Sequence, residues 1–150
     1  MKHFGKGGIY VSLDAGISVE LKSKFAFDIV DCLVSQGMEI YNSCGQIYLI
    51  TSNDYDWDYL EISYDMLRDY IEFRQSCGYP IGIGLLKDNV RITNMLVDGS
   101  DLVTFNCDIN RKTFILDNKI YTDVNWYIEN IIMLLSNKFE ILSLKYWEMR

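Results

Sequence analysis

Two periodicities alternate along this chain, one of strands and one of helices. Apolar residues recur at every second position in Ile9–Leu13 and again in Ile17–Leu21, with Asp14-Ala15-Gly16 between them. That arrangement predicts an antiparallel hairpin. From Lys24 to Gln36 the spacing turns helical: Phe25, Ile29, Cys32 and Leu33 form one stripe, while Asp28 and Asp31 fall on the other side. Ser23 is placed to cap that helix and Gly37 to end it. A short strand over Met38–Tyr41, a turn at Asn42–Gly45 and a strand over Gln46–Thr51 follow.

The next apolar pattern places a helix over about residues 57–76. Leu60, Tyr64, Leu67 and Ile71 share one face, widened by Tyr59, Met66, Tyr70 and Phe73, and acids line the other. A competing reading pairs Tyr59–Ile62 with Gln46–Thr51 as a strand and lets Ser63 cap a shorter helix from Tyr64. Gly78 and Pro80 stop the helix in either case. Beyond them lie β-like segments at Ile81–Leu86, Asn89–Val97, Leu102–Asn106, Thr113–Leu116 and Ile120-Tyr121, separated by short polar turns. Strands joined this closely pair with their neighbours, which predicts an antiparallel meander. Arg91, Thr93 and Asn94 give it one wet face.

Asp123 caps a second strong helix over Val124–Ser136, with Trp126, Ile128, Ile131, Ile132 and Leu135 as its apolar stripe. Phe139–Trp147 extends that helix or forms a last strand, and its β-branched and aromatic content favours the strand. The expected fold is α+β: a single domain over residues 1–150, an antiparallel β-meander sheet packed by two or three helices.

Charge changes the picture in one place. The chain carries a net −7, and residues 53–77 alone hold seven acids against two arginines. Asp54, Asp56, Asp58, Glu61, Asp65, Asp69 and Glu72 are interleaved there with Tyr55, Trp57, Tyr59, Tyr64, Tyr70 and Phe73. An acidic balance disfavours nucleic acid and anionic membrane surfaces, whose recognition needs lysine and arginine. It favours a basic partner, since complementary charge speeds encounter. Crowded carboxylates repel one another until a partner's cations neutralise them. Asp54, Tyr55, Asp56, Trp57, Asp58, Glu61, Asp65, Asp69 and Glu72 are therefore the candidate partner-binding residues, with Tyr55 and Trp57 as apolar anchors.

Other chemistry has little to stand on. The single histidine, His3, lies near the terminus, which leaves no internal base for a Ser–His or Cys–His pair and no histidine-based zinc site. The alternation Asp54-Asp56-Asp58 lacks the glycine and the distal glutamate of a calcium loop. FGKGG at residues 4–8 precedes its apolar run and has no G-K-[ST], so it reads as a flexible lead-in rather than a phosphate cradle. No metal or cofactor is expected. Cys32, Cys44, Cys77 and Cys107 contain no C-x-x-C pair and read as reduced, mostly buried thiols. No apolar run reaches the length of a membrane span and no secretory leader is visible, so the expected location is the cytoplasm.

In its acid cluster around Asp56-Trp57-Asp58, its GYPIGIGLL run at residues 78–86 and the Asn125-Trp126-Tyr127 opening of the late helix, the chain resembles bacterial toxin-immunity proteins, including those of contact-dependent inhibition systems. The resemblance implies a small acidic domain that blocks a toxin's catalytic domain by binding, with the basic cleft of a nuclease as the expected target and no catalysis of its own. A small metal-dependent enzyme built on the carboxylate cluster and a structural or regulatory subunit are the alternative readings.

Overall fold

A computed structural model describes residues 4–5, 8–9, 14–22, 25–98 and 102–149. Two-residue strands β1 (Phe4–Gly5) and β2 (Gly8–Ile9) pair with each other. The remaining elements are β3 (Asp14–Leu21), α1 (Ala26–Ser35), β4 (Ile47–Ile50), β5 (Trp57–Leu60), α2 (Tyr64–Ser76), β6 (Ile81–Lys87), β7 (Val90–Val97), β8 (Leu102–Asn106), β9 (Thr113–Leu116), β10 (Lys119–Thr122), α3 and β11 (Ile141–Met149). The third helix, α3, runs as Val124–Tyr127, widens into a π turn over Ile128–Ile132 and finishes as Met133–Ser136. The fold is α+β, and its main sheet has seven antiparallel strands in the order β11-β3-β8-β7-β6-β4-β5.

All three helices contribute to a core on one face of this sheet. Ile17, Val19, Ile47, Leu49, Ile83, Leu85, Met95 and Phe105 point into it from the strands, and Val30, Leu33, Leu67, Ile71, Tyr127, Ile131 and Leu135 meet them from the helices. Burying each such side chain fully contributes about 1.5–3 kcal/mol. Helix α1 is bonded to both of its neighbours. The Tyr64 hydroxyl of α2 donates to Asp31 Oδ1 at 2.7 Å, and Gln36 Nε2 donates to the Leu134 carbonyl of α3 at 2.7 Å.

Several expectations are corrected. Residues 14–16 are not a turn but the opening of β3, which pairs with β8 and β11. Gly16 belongs in a strand because the Trp147 indole lies where a side chain would go: an added Cβ would sit 2.6 Å from Trp147 Cζ2. The predicted partner segment, residues 10–13, lies outside the described residues, as does Ser23. The N-cap of α1 is Phe25, which is exposed rather than part of the buried stripe. The first amide of that helix, on Ala26, is satisfied instead by Gln75 Oε1 at 2.9 Å. In place of a strand over Met38–Tyr41 there is a single bridge between Glu39 and Leu86. The meander is real only for β6, β7 and β8; β9 and β10 pair with each other outside the sheet. Asp117 and Asn118, both left-handed (φ 52° and 60°), make the tight turn that closes that hairpin.

The largest correction concerns residues 57–62. Trp57–Leu60 is a strand paired with β4, and α2 begins only at Tyr64. Helical spacing and strand alternation are both compatible with WDYLEIS, and the decision comes from partners. As a strand the segment gains a ladder to β4 and a stack of Trp57 on Tyr48, with centroids 5.0 Å apart. Ser63 then caps α2, its Oγ accepting from the Met66 amide at 3.2 Å.

Candidate functional site

The acidic segment folds as a loop, an edge strand and a helix. Within α2, Leu67, Ile71 and Arg74 point inward and Asp65, Asp69 and Glu72 (spaced i, i+4, i+7) point to solvent. Before it, Asp54 and Asp56 lie in the loop leading to β5, and Glu61 in the link to α2. All seven predicted acids are exposed. Asp58 accepts a hydrogen bond from Thr51 Oγ1 at 2.7 Å. Asp65 and Asp69 share Arg68 at 4.0 and 3.8 Å, both pairs on open surface where such contacts contribute little. Among the described residues these two contacts are the only salt bridges that the seven acids make.

The other arginine of the segment has a different task. Arg74 is buried. Its Nε donates to the Pro80 carbonyl at 2.9 Å and its Nη2 to the Ser52 carbonyl at 2.6 Å, between the rings of Tyr70 and Tyr79. Ser52 in turn receives the amides of Asp54 and Asp56 on its Oγ, at 3.0 and 3.1 Å. Arg74 therefore ties the acid-bearing loop to the end of α2. Tyr55, left-handed at φ 63°, holds the same loop from the other side through a short hydrogen bond from its hydroxyl to Asp98 Oδ2. That bond raises the Tyr55 phenol above its ordinary pKa.

Of the two expected anchors, Tyr55 stays among the acids, exposed between Asp54 and Asp56, whereas Trp57 does not. Strand alternation sends Trp57 and Tyr59 to the sheet face away from the helices, and Asp58 to the opposite face. Trp57 is half-buried there, stacked on Tyr48 and lying over Gly82, where an added Cβ would come within 2.5 Å of Trp57 Cη2. The exposed apolar side chains on α2 itself are Met66 and Phe73, seven residues apart on the flank of the acid ridge. Their apolar character predicts both for the buried arc, but Leu67, Ile71 and Arg74 fill the inward face.

A second cluster, on the helix-free face, was not anticipated. Arg91 Cζ lies 4.0 Å from the centroid of the Tyr48 ring, and its Nη2 donates to Tyr59 Oη at 2.8 Å. Arg91 Nε and Asn94 Oδ1 are buried without hydrogen-bond partners. The signals were the alternating glycines 82 and 84, which admit these large side chains, and the polar positions 91 and 94 within an apolar strand.

Cys32 and Cys107 are buried, while Cys44 and Cys77 are exposed, so only half of the thiols follow expectation. Burial raises the Cys32 thiol and pushes Cys107 up to about 12. No group of three or more His, Cys, Asp or Glu is arranged to hold a metal ion among the described residues, and none of their helices is long and apolar enough to cross a membrane. Compared with known family models, curated proteins and solved structures, the chain matches none.

Proposed function

We propose that this protein is an immunity protein: it binds a cognate bacterial toxin domain that carries a basic surface, and neutralises it by covering that surface. The observation that carries this reading is the exposure of all seven carboxylates between Asp54 and Glu72, with Arg68 the one base paired to any of them among the described residues. Like charges held this close repel, and a cationic partner removes the penalty. Asp65, Asp69 and Glu72 form the straight part of the binding edge. Asp54 and Asp56 extend it along a loop that Arg74 and Tyr55 hold in place. Met66 and Phe73, 60% and 62% exposed, supply the apolar contact that Trp57 does not. A nuclease toxin, whose cleft must attract phosphates, is the partner class that suits such an edge best.

The test begins at the adjacent upstream gene, which on this reading encodes a large secreted protein with a basic C-terminal domain. Co-production of this chain is expected to protect cells from that domain and to give a stable complex with it. Asp65→Lys, Asp69→Lys and Glu72→Lys together are expected to abolish protection while leaving the circular dichroism spectrum unchanged. A toxic domain that neither binds this chain nor is neutralised by it would overturn the reading.

A further inference from the structure

The two edges of the main sheet are built differently. The β5 edge is four residues long, carries Asp58 and is flanked by Asp54, Asp56 and Glu61. Short length and charge are the usual protections against unwanted pairing. The β11 edge is nine residues long, and Leu142, Leu144 and Met149 on it are 53%, 43% and 62% exposed. Among the described residues no strand pairs with its outer side. Beside it stands the β9–β10 hairpin, which exposes Phe114, Ile115, Leu116, Ile120 and Tyr121. The base of that hairpin is tied to the strand, since Thr122 Oγ1 and Glu148 Oε1 are 3.2 Å apart.

We propose that β11 pairs antiparallel with β11 of a second copy of this chain, about a two-fold axis at Tyr146, so that the two sheets become one. Among registers that pair seven or more of the nine residues of β11, the choice follows from charge. With Tyr146 opposite its own copy, Lys145 faces Trp147, Leu144 faces Glu148 and Ser143 faces Met149 of the second copy. No like charges meet, and each Lys145 meets an indole. Shifting the axis to Lys145 sets lysine against lysine, and shifting it to Leu144 sets Glu140 against Glu148; both are unfavourable. Leu144 points to the helix side of the sheet yet remains exposed in one copy. In the Tyr146 register it lies beside Glu148 of the second copy, where that copy's apolar hairpin is rooted. Two uncovered apolar surfaces thus cover each other, which an unrelated strand added to β11 would not achieve. The contact leaves the acidic face of α2 free and is independent of the immunity reading.

Sedimentation of the full chain over a wide concentration range tests this. A reversible monomer–dimer equilibrium is expected. Leu144→Glu, which creates two Glu–Glu oppositions, should weaken the dimer by about tenfold or more, whereas Leu144→Lys, which faces Glu148, should preserve it. With Cys44 and Cys77 changed to serine, Tyr146→Cys should form an intermolecular disulfide on mild oxidation, because its Cα meets its own copy at disulfide range. Lys145→Cys, displaced by two rows from its copy, should not. A monomer at every concentration, a dimer weakened equally by both Leu144 variants, or cross-linking at residue 145 instead of 146 would each overturn the proposal.

Discussion

Replacing Arg74 by methionine isolates the contact that fixes the acid-bearing loop. The guanidinium is buried and donates two hydrogen bonds to main-chain carbonyls, at 2.9 Å to Pro80 and 2.6 Å to Ser52. Hydrogen bonds to a charged group contribute about 1.5–3 kcal/mol each. Methionine keeps an apolar stem between Tyr70 and Tyr79 and avoids burying a charge, which returns part of the loss. The expected net destabilisation is about 3 kcal/mol. Urea denaturation followed by circular dichroism measures it as a lowered midpoint at unchanged slope. Arg74→Lys, with one ammonium in place of a planar fork, cannot serve both carbonyls in the same geometry and should recover less than half of the loss. Loosening at Ser52 should also raise amide exchange at Asp54 and Asp56, whose N–H groups bond to the Ser52 hydroxyl. A change below about 1 kcal/mol in Arg74→Met, with exchange in the loop unaltered, would refute this reasoning.

Three further outcomes follow from the packing. Gly82→Ala should cost about 1–3 kcal/mol, because its Cβ would sit 2.5 Å from Trp57 and 2.6 Å from Ile50, and Trp57→Leu, which leaves the Ile50 contact in place, should restore only part of that loss in a double-mutant cycle. Tyr127 is fully buried, and burial pushes its phenol from 10.0 up to about 12. Its neutral form therefore contributes stability that is complete below pH 10 and lost as pH rises to about 12, on the order of 3 kcal/mol, so alkaline unfolding of Tyr127→Phe should be less steep. Thiol labelling under native conditions should modify Cys44 and Cys77 quickly and leave Cys32 and Cys107 until the chain unfolds.

Elements are legible in the sequence where periodicity and local chemistry agree. Asp123 caps α3 through the Trp126 amide, Gly37 and Gly78 adopt the left-handed conformation past the ends of α1 and α2, and the segment after Asn137 is a strand. Long-range pairing was not legible. Nothing near Asp14-Ala15-Gly16 says that Trp147 will lie over Gly16, and without that contact the triplet reads as a turn. WDYL satisfied two periods at once, and Tyr48, nine residues before Trp57, decided between them. For the candidate site, sequence located the charge and its exposure. It could not place Trp57 and Tyr59 relative to Asp58, because a strand sends neighbours to opposite faces where a helix turns each by about 100°. It also could not tell Arg68 from Arg74, since the partners of Arg74 are carbonyls that carry no sequence signature.

The proposed function rests on the attraction of a basic partner by the acids of α2 and its preceding loop. Stopped-flow association with the candidate toxin domain, at low and at high salt, tests it most directly for the parent chain and for the variant combining Asp65→Lys, Asp69→Lys and Glu72→Lys. A fast association that falls steeply with salt is expected, with the variant slowed by about tenfold or more at low salt and converging on the parent at high salt. Equal association rates for the two proteins at low salt would contradict it.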